Sequence, residues 1–145
     1  MNFQTKPTLA MNDLKVFIAE DSSAVRESLH TLLSGMAGIS VVGYAADEAG
    51  AIEGINTLLP DFVVLDLHLQ QGTGVNVLIN VKKNHARIKV AVLSNYASAL
   101  YVVACRQYGA DYFFDKSFQF MLLGQLLSQL ASPEGLNGEI PPLQP

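Results

Sequence analysis

Phe62-Val63-Val64-Leu65 is apolar throughout, β-branched at its centre, and ends abruptly on a carboxylate, Asp66. A strand without polar/apolar alternation has both faces buried, the situation of a parallel sheet covered by helices on each side. Such a sheet opens its functional crevice at the carboxyl ends of its strands. Asp66 is therefore expected at the lip of the core, half exposed and facing that crevice. A second apolar run, Val16-Phe17-Ile18-Ala19, ends the same way on Glu20-Asp21. Two strand ends then bring Glu20, Asp21 and Asp66 together. Like charges at close range repel, so the site needs a cation or a protonated member. Hard oxygen ligands with room for water suit Mg²⁺.

A chain of 145 residues is long enough for one domain with a real core. Half of the residues are hydrophobic, yet no apolar run approaches the roughly 20 residues of a membrane span. The polar start, Met1 to Pro7, lacks the apolar segment of a secretory signal. Cys105 is the only cysteine, which excludes an intrachain disulfide and a cysteine-based zinc site. A cytoplasmic protein is expected. The formal net charge of −4 and the absence of a basic cluster argue against direct nucleic-acid binding. Residues 1–13 read as a flexible extension. Residues 132–145 hold four of the six prolines and read as a loosely docked tail. The domain is expected over residues 14–131, with no output domain attached.

Between the tails, strand and helix alternate. Strands are expected at Val16 to Ala19, Ser40 to Tyr44, Phe62 to Leu65, Lys89 to Leu93 and Tyr112 to Phe114. Ser22 and Ser23 offer caps for a first helix, with Val25, Leu29, Leu32, Leu33 and Met36 on its inner face. Asp47 or a neighbour caps a second, facing inward through Ala49, Ile52, Ile55 and Leu59, and Pro60 stops it. The third presents Val75, Leu78, Ile79 and Val81. The fourth runs from Ala97 to Tyr108 and the fifth from Phe118 to Leu130. Short connections between five such units imply right-handed crossovers. The expected fold is an α/β doubly wound, five-stranded parallel sheet of flavodoxin-like order 2-1-3-4-5 with five helices.

The strand ends carry the chemistry. Glu20-Asp21, Asp66, Ser94 and Lys116 all project from one edge of such a sheet. Together they supply a nucleophile, metal ligands, and a hydroxyl and an ammonium for phosphoryl oxygens, which is what phosphoryl transfer to a carboxylate requires. Catalysis of that kind is mostly positioning and charge neutralisation. Taken singly, Ser94 reads as a turn serine, Lys116 as a solvated charge and Phe113 as core.

Four pieces in order, Ala19-Glu20-Asp21, Val63-Val64-Leu65-Asp66, Leu93-Ser94-Asn95-Tyr96-Ala97 and Gly109 to Lys116, resemble the receiver domains of bacterial two-component response regulators. The resemblance covers residues 14 to about 131. It implies that Asp66 is the phosphoacceptor and that Glu20, Asp21, Asp66 and the backbone carbonyl of His68 hold Mg²⁺. It implies that Ser94 and Lys116 bind phosphoryl oxygens, and that Phe113 is the switch aromatic that turns inward as Ser94 moves. Three positions depart from the family's usual pattern. Glu20 stands where Asp is more usual, and Gln70 and Ser117 stand where Pro is usual. Without its proline, the Lys116–Ser117 bond is expected to be trans.

The expected function is a single-domain switch that takes a phosphoryl group from a sensor histidine kinase or phosphotransfer protein and passes the signal to a protein target. It is expected to turn over no outside substrate. A dehalogenase-type phosphatase would carry Asp-x-Asp at its first strand, where this chain has Glu20-Asp21-Ser22. A receiver fold that has lost its chemistry would lack part of the site. Helix four carries one charged residue, Arg106, and helix five none. Some of Leu100, Val103, Phe120, Leu123 and Leu127 are therefore expected to face outward, making helix four, strand five and helix five a face for a homodimer or a target.

Overall fold

The computed structural model describes residues 13–95, 99–116 and 120–131. Five parallel strands lie in the order β2-β1-β3-β4-β5. They are β1 (Leu14–Ala19), β2 (Ile39–Ala45), β3 (Phe62–Leu65), β4 (Lys89–Ser94) and β5 (Tyr112–Asp115). Between and after them come α1 (Ser23–Ser34), α2 (Glu48–Leu58), α3 (Gly74–Asn84), α4 (Ala99–Gln107) and α5 (Phe120–Ala131). This is the expected sheet order and helix number.

Alternate residues of each strand feed two cores, one on each face of the sheet. Val16 and Ile18 of β1, Phe62 and Val64 of β3, and Tyr112 and Phe114 of β5 pack with Leu29 and Leu33 of α1 and the leucines of α5. Phe17, Val63, Leu65, Val90, Val92 and Phe113 point the other way, against Ala51 and Ile55 of α2, Val77, Leu78 and Val81 of α3, and Val102 and Cys105 of α4. Burying each large apolar side chain stabilises by about 1.5–3 kcal/mol, and this two-sided burial explains the lack of alternation along β3.

The expected caps form at α1 and α2, and Thr73 caps α3 in the same way. The hydroxyl of Ser22 accepts from the Val25 N–H at 3.2 Å, the Asp47 carboxylate from Gly50 at 2.7 Å, and the Thr73 hydroxyl from Asn76 at 3.2 Å.

The helix faces differ from expectation in three places. In α2, Ala51 and Ile55 are buried and Ala49 is exposed. Leu59 follows the helix end with φ 49°, in the left-handed region, and is 51% exposed. Leu59 is the left-handed residue that closes the helix, its N–H donating to the Ile55 carbonyl at 2.9 Å. In α3, Val77 is buried beside Leu78 and Val81, whereas Ile79 lies off that stripe and is exposed. In α5, Leu123 and Leu127 are fully buried and do not face outward. With Leu126 and Leu130 they form a regular i, i+3, i+4, i+7 stripe on the sheet. Leu100 and Val103 are exposed as expected, together with Met121 and Leu122. The tails, the start of helix four as expected at Ala97, residues Phe118 and Gln119, the side chain of Phe120 and the Lys116–Ser117 bond lie outside the described residues.

Candidate functional site

Strand register gathers the site. Ala19 of β1 pairs with Leu65 of β3, so Glu20 and Asp66 leave the sheet side by side. The Asp66 N–H donates to the Ala19 carbonyl at 2.8 Å, one more rung beyond the last paired residues. Across the sheet, Ser94 pairs with Asp115, and the Lys116 N–H donates to the Ser94 carbonyl at 2.9 Å. Backbone pairing alone thus places Glu20, Asp66, Ser94 and Lys116 on one edge.

One oxygen from each of Glu20, Asp21 and Asp66 lies within 4.8 Å of the others. Asp66 is 4% exposed and Glu20 1%, so Asp66 is buried, not half exposed as the sequence suggests. Lys116 lies against both. Its ammonium lies 3.0 Å from Glu20 Oε1 and 3.1 Å from Asp66 Oδ2. Burial alone would depress the Lys116 pKa, but the bond to Glu20 and the charge of Asp66 outweigh it and raise the pKa. Glu20 is pushed up to about 7, first by burial and further by the charge of Asp66, against the lowering effect of Lys116.

The residues present fit a hard divalent cation. Three carboxylates converge, and the Lys116 ammonium pairs with two of them, Glu20 and Asp66. A set of oxygens only, with no sulfur or imidazole among them, suits Mg²⁺ over zinc.

The loop after Asp66 is bent back onto the site. The His68 N–H donates to Asp66 Oδ1 at 3.1 Å, while the imidazole belongs to an exposed residue. His68 faces Thr73 in an isolated antiparallel bridge, and the Gly74 N–H donates to the Leu67 carbonyl at 3.0 Å. A Cβ at Gly74 would collide with the Asp66 carbonyl, so only glycine lets α3 start this close to the phosphoacceptor candidate. Ser94 and Phe113 are both buried, at 0% and 1% exposure, on β4 and β5.

Three residues that the sequence did not single out, or singled out only as a departure, hold the acidic pair and the loop. The Arg26 guanidinium donates to the Glu20 carbonyl at 2.7 Å. The Gln70 side chain reaches the Asp21 carbonyl at 3.4 Å, and its N–H donates to Ala46 at 3.0 Å, a bond that proline could not make. Glu48 accepts from the Thr73 N–H at 2.9 Å. The only sequence signal for Glu48 is its place after the cap Asp47; its partners are remote in sequence.

Comparison with known proteins decides the family. The family model described as the response regulator receiver domain matches residues 16–128. The chain belongs to the response regulator receiver family. This receiver domain is 29% identical over 108 residues to a protein-glutamate methylesterase/protein-glutamine glutaminase of Treponema denticola, covering 73% of this chain and 29% of that protein. It is 33% identical over 98 residues to the response regulator protein VraR of Staphylococcus saprophyticus, covering 68% of this chain and 47% of that protein. The chain thus spans less than half the length of these two curated relatives. Among solved structures, the receiver domain of the putative response regulator NarL from Mycobacterium tuberculosis matches with a TM-score of 0.75 and 27% identity, over 82% of this chain and 96% of that one. The response regulator domain of Thermotoga maritima CheB matches in fold with a TM-score of 0.73 and 23% identity, over 88% of this chain and 98% of that one.

Proposed function

We propose that this receiver domain accepts a phosphoryl group on Asp66 from the phosphohistidine of a sensor kinase or phosphotransfer protein. The observation that carries the reading is the Lys116 ammonium bridging buried Asp66 and Glu20 at 3.1 and 3.0 Å. A carboxylate oxygen of Asp66 attacks phosphorus, the P–O bond forms as the N–P bond breaks, and the imidazole nitrogen leaves with the electron pair. Glu20, Asp21, Asp66 and the His68 carbonyl would hold Mg²⁺, which when bound neutralises charge on the transferring group. Lys116 exchanges its bond to the Asp66 carboxylate for one to a phosphoryl oxygen, and the Ser94 hydroxyl donates to another. Water later hydrolyses the acyl phosphate, returning Asp66 and releasing phosphate. The protein turns over no outside substrate and works in the cytoplasm.

Output follows from the same groups. Ser94 moves toward the phosphoryl group and Phe113 fills the space behind it, a population shift between two packings. Exposed Leu100 and Val103 on α4, with Met121 and Leu122 on α5, supply the apolar contacts of a phosphorylation-strengthened homodimer or target complex.

Beryllofluoride, which mimics a phosphoryl group on a carboxylate, tests the reading. With Mg²⁺ it is expected to shift the amide resonances of Asp66, Ser94, Phe113 and Lys116. Equal shifts without any divalent cation, or none with it, would contradict the proposal.

A further inference from the structure

We infer that Glu48 is a positioning residue for the metal site, acting through the loop at residues 67–74 and not by touching the ion. The inference rests on the proposal that the His68 carbonyl is a metal ligand, and it concerns what holds that carbonyl in place.

Glu48 is the first residue of α2, directly after the cap Asp47. It grips the loop from both sides of Gly72. Its own N–H, one of the donors a helix start leaves unpaired, donates to the Gln71 carbonyl at 2.9 Å. Its Oε1 accepts from the Thr73 N–H at 2.9 Å and from the Asn76 side-chain amide at 3.2 Å. Gly72 between them has φ +83°, and a Cβ there would run into the Glu48 side chain. Glycine thus serves twice, for the left-handed turn and for the close approach of Glu48.

The grip reaches the site in two steps. Thr73 faces His68 across the bridge, and the next residue, Gly74, bonds back to Leu67. His68 in turn donates its N–H to Asp66 Oδ1 at 3.1 Å. A carbonyl offered to a cation must point in one direction while its own N–H is already committed to Asp66. Residues 68–73 carry no regular structure apart from that bridge, so their orientation comes from outside partners. Glu48 supplies two of these bonds from α2, to Gln71 and Thr73, and a third to Asn76 at the start of α3. Partners that orient a ligand without touching the metal typically govern affinity by about 10–100-fold. The loop keeps its tie through Gln70, so the expected effect lies at the lower end, about three- to tenfold.

Glu48 could instead merely join α2 to α3, or act as a remote negative charge. Two variants separate these roles. Glu48→Gln keeps an oxygen that accepts the same N–H groups but removes the charge. Glu48→Ala removes both.

The experiment is calorimetric titration of the wild type, both Glu48 variants and Asp21→Asn with Mg²⁺, with amide hydrogen exchange of residues 68–74 followed in parallel. Mg²⁺ affinity is expected to fall about three- to tenfold in Glu48→Ala, with faster exchange in the loop, and to stay near wild type in Glu48→Gln. Asp21→Asn should lose most binding because a ligand is gone. Glu48→Ala binding Mg²⁺ as wild type does, whatever its melting temperature, would overturn the inference and leave the metal site standing. Equal losses in the Gln and Ala variants would overturn it in favour of simple charge. Wild type and Asp21→Asn behaving alike would overturn the metal site itself, and the inference with it.

Discussion

The Lys116 ammonium lies 3.1 Å from Asp66 Oδ2. The same nitrogen touches Glu20 at 3.0 Å. Lys116 therefore bridges two buried carboxylates in the resting site. Removing one partner of a buried ionic set leaves uncompensated charge, at a cost of several kcal/mol when burial is complete. Because Glu20 can take up a proton and Lys116 remains 12% exposed, Lys116→Met should lose roughly 1–3 kcal/mol in metal-free urea unfolding. Added Mg²⁺ should narrow the gap by replacing the lost positive charge. A gap unchanged by Mg²⁺ would show that Lys116 acts by packing alone.

Glu20 gives the metal-free protein a pH dependence of defined sign. Its pKa rises from 4.5 to about 7 on folding, so the folded protein retains a proton that the unfolded chain releases in this window. Stability in chelator should fall as pH rises from 4.5 to about 7. Glu20→Gln cannot titrate and should remove most of this slope. Above pH 7 it should be more stable than wild type by about 1–3 kcal/mol. Thermal unfolding across this range in chelator checks it. A wild type that instead gains stability with pH here would reverse the sign assigned to Glu20.

Tyr112 carries a buried hydroxyl that finds no hydrogen-bond partner among the described residues. Burial, with the charge of Asp111 nearby, pushes its pKa up to about 12. Its ring stacks between Phe62 and Phe114, with centroids 6.2 and 6.4 Å away. Tyr112→Phe keeps the stack and removes the unpaired group, so it should stabilise the fold by about 1 kcal/mol. Urea midpoints compare the two proteins. A clear loss would mean that the hydroxyl is satisfied in solution.

Two leucines on consecutive helices should respond oppositely to the same change. Leu123 is fully buried on α5, whereas Leu100 on α4 is 80% exposed. Leu123→Glu should unfold the domain by burying an unpaired charge. Leu100→Glu should stay within about 0.5 kcal/mol of wild type, as surface changes usually do. It should weaken self-association or target binding, read by sedimentation with and without beryllofluoride. Unchanged association in a folded Leu100→Glu would remove α4 from the contact face.

How far the sequence carried depends on the kind of signal. Asp66 and Glu20-Asp21 were legible because apolar runs that stop on acids mark strand ends, and parallel register then puts those ends together. The sheet order followed from short right-handed crossovers. The outward residues of α5 are not legible because Phe120 to Ala131 is apolar nearly all round, and a helix of that kind carries little phase information. Ala49 and Ile79 failed for a related reason: alanines and β-branched residues occur on both sides of α2 and α3. The pairing of Lys116 with Glu20 and Asp66 is not legible because those partners lie 96 and 50 residues away, nor is the Glu48 grip, whose partners lie 25 and 28 residues away.

The central claim is that Asp66 is the phosphoacceptor. Intact-mass measurement after incubation with a small-molecule phosphodonor, with Mg²⁺ or with chelator, tests it most directly. One phosphoryl group is expected on the wild type, only with the divalent cation, and none on Asp66→Asn. Labelling of Asp66→Asn at the wild-type rate, or labelling of the wild type that ignores the cation, would contradict the claim.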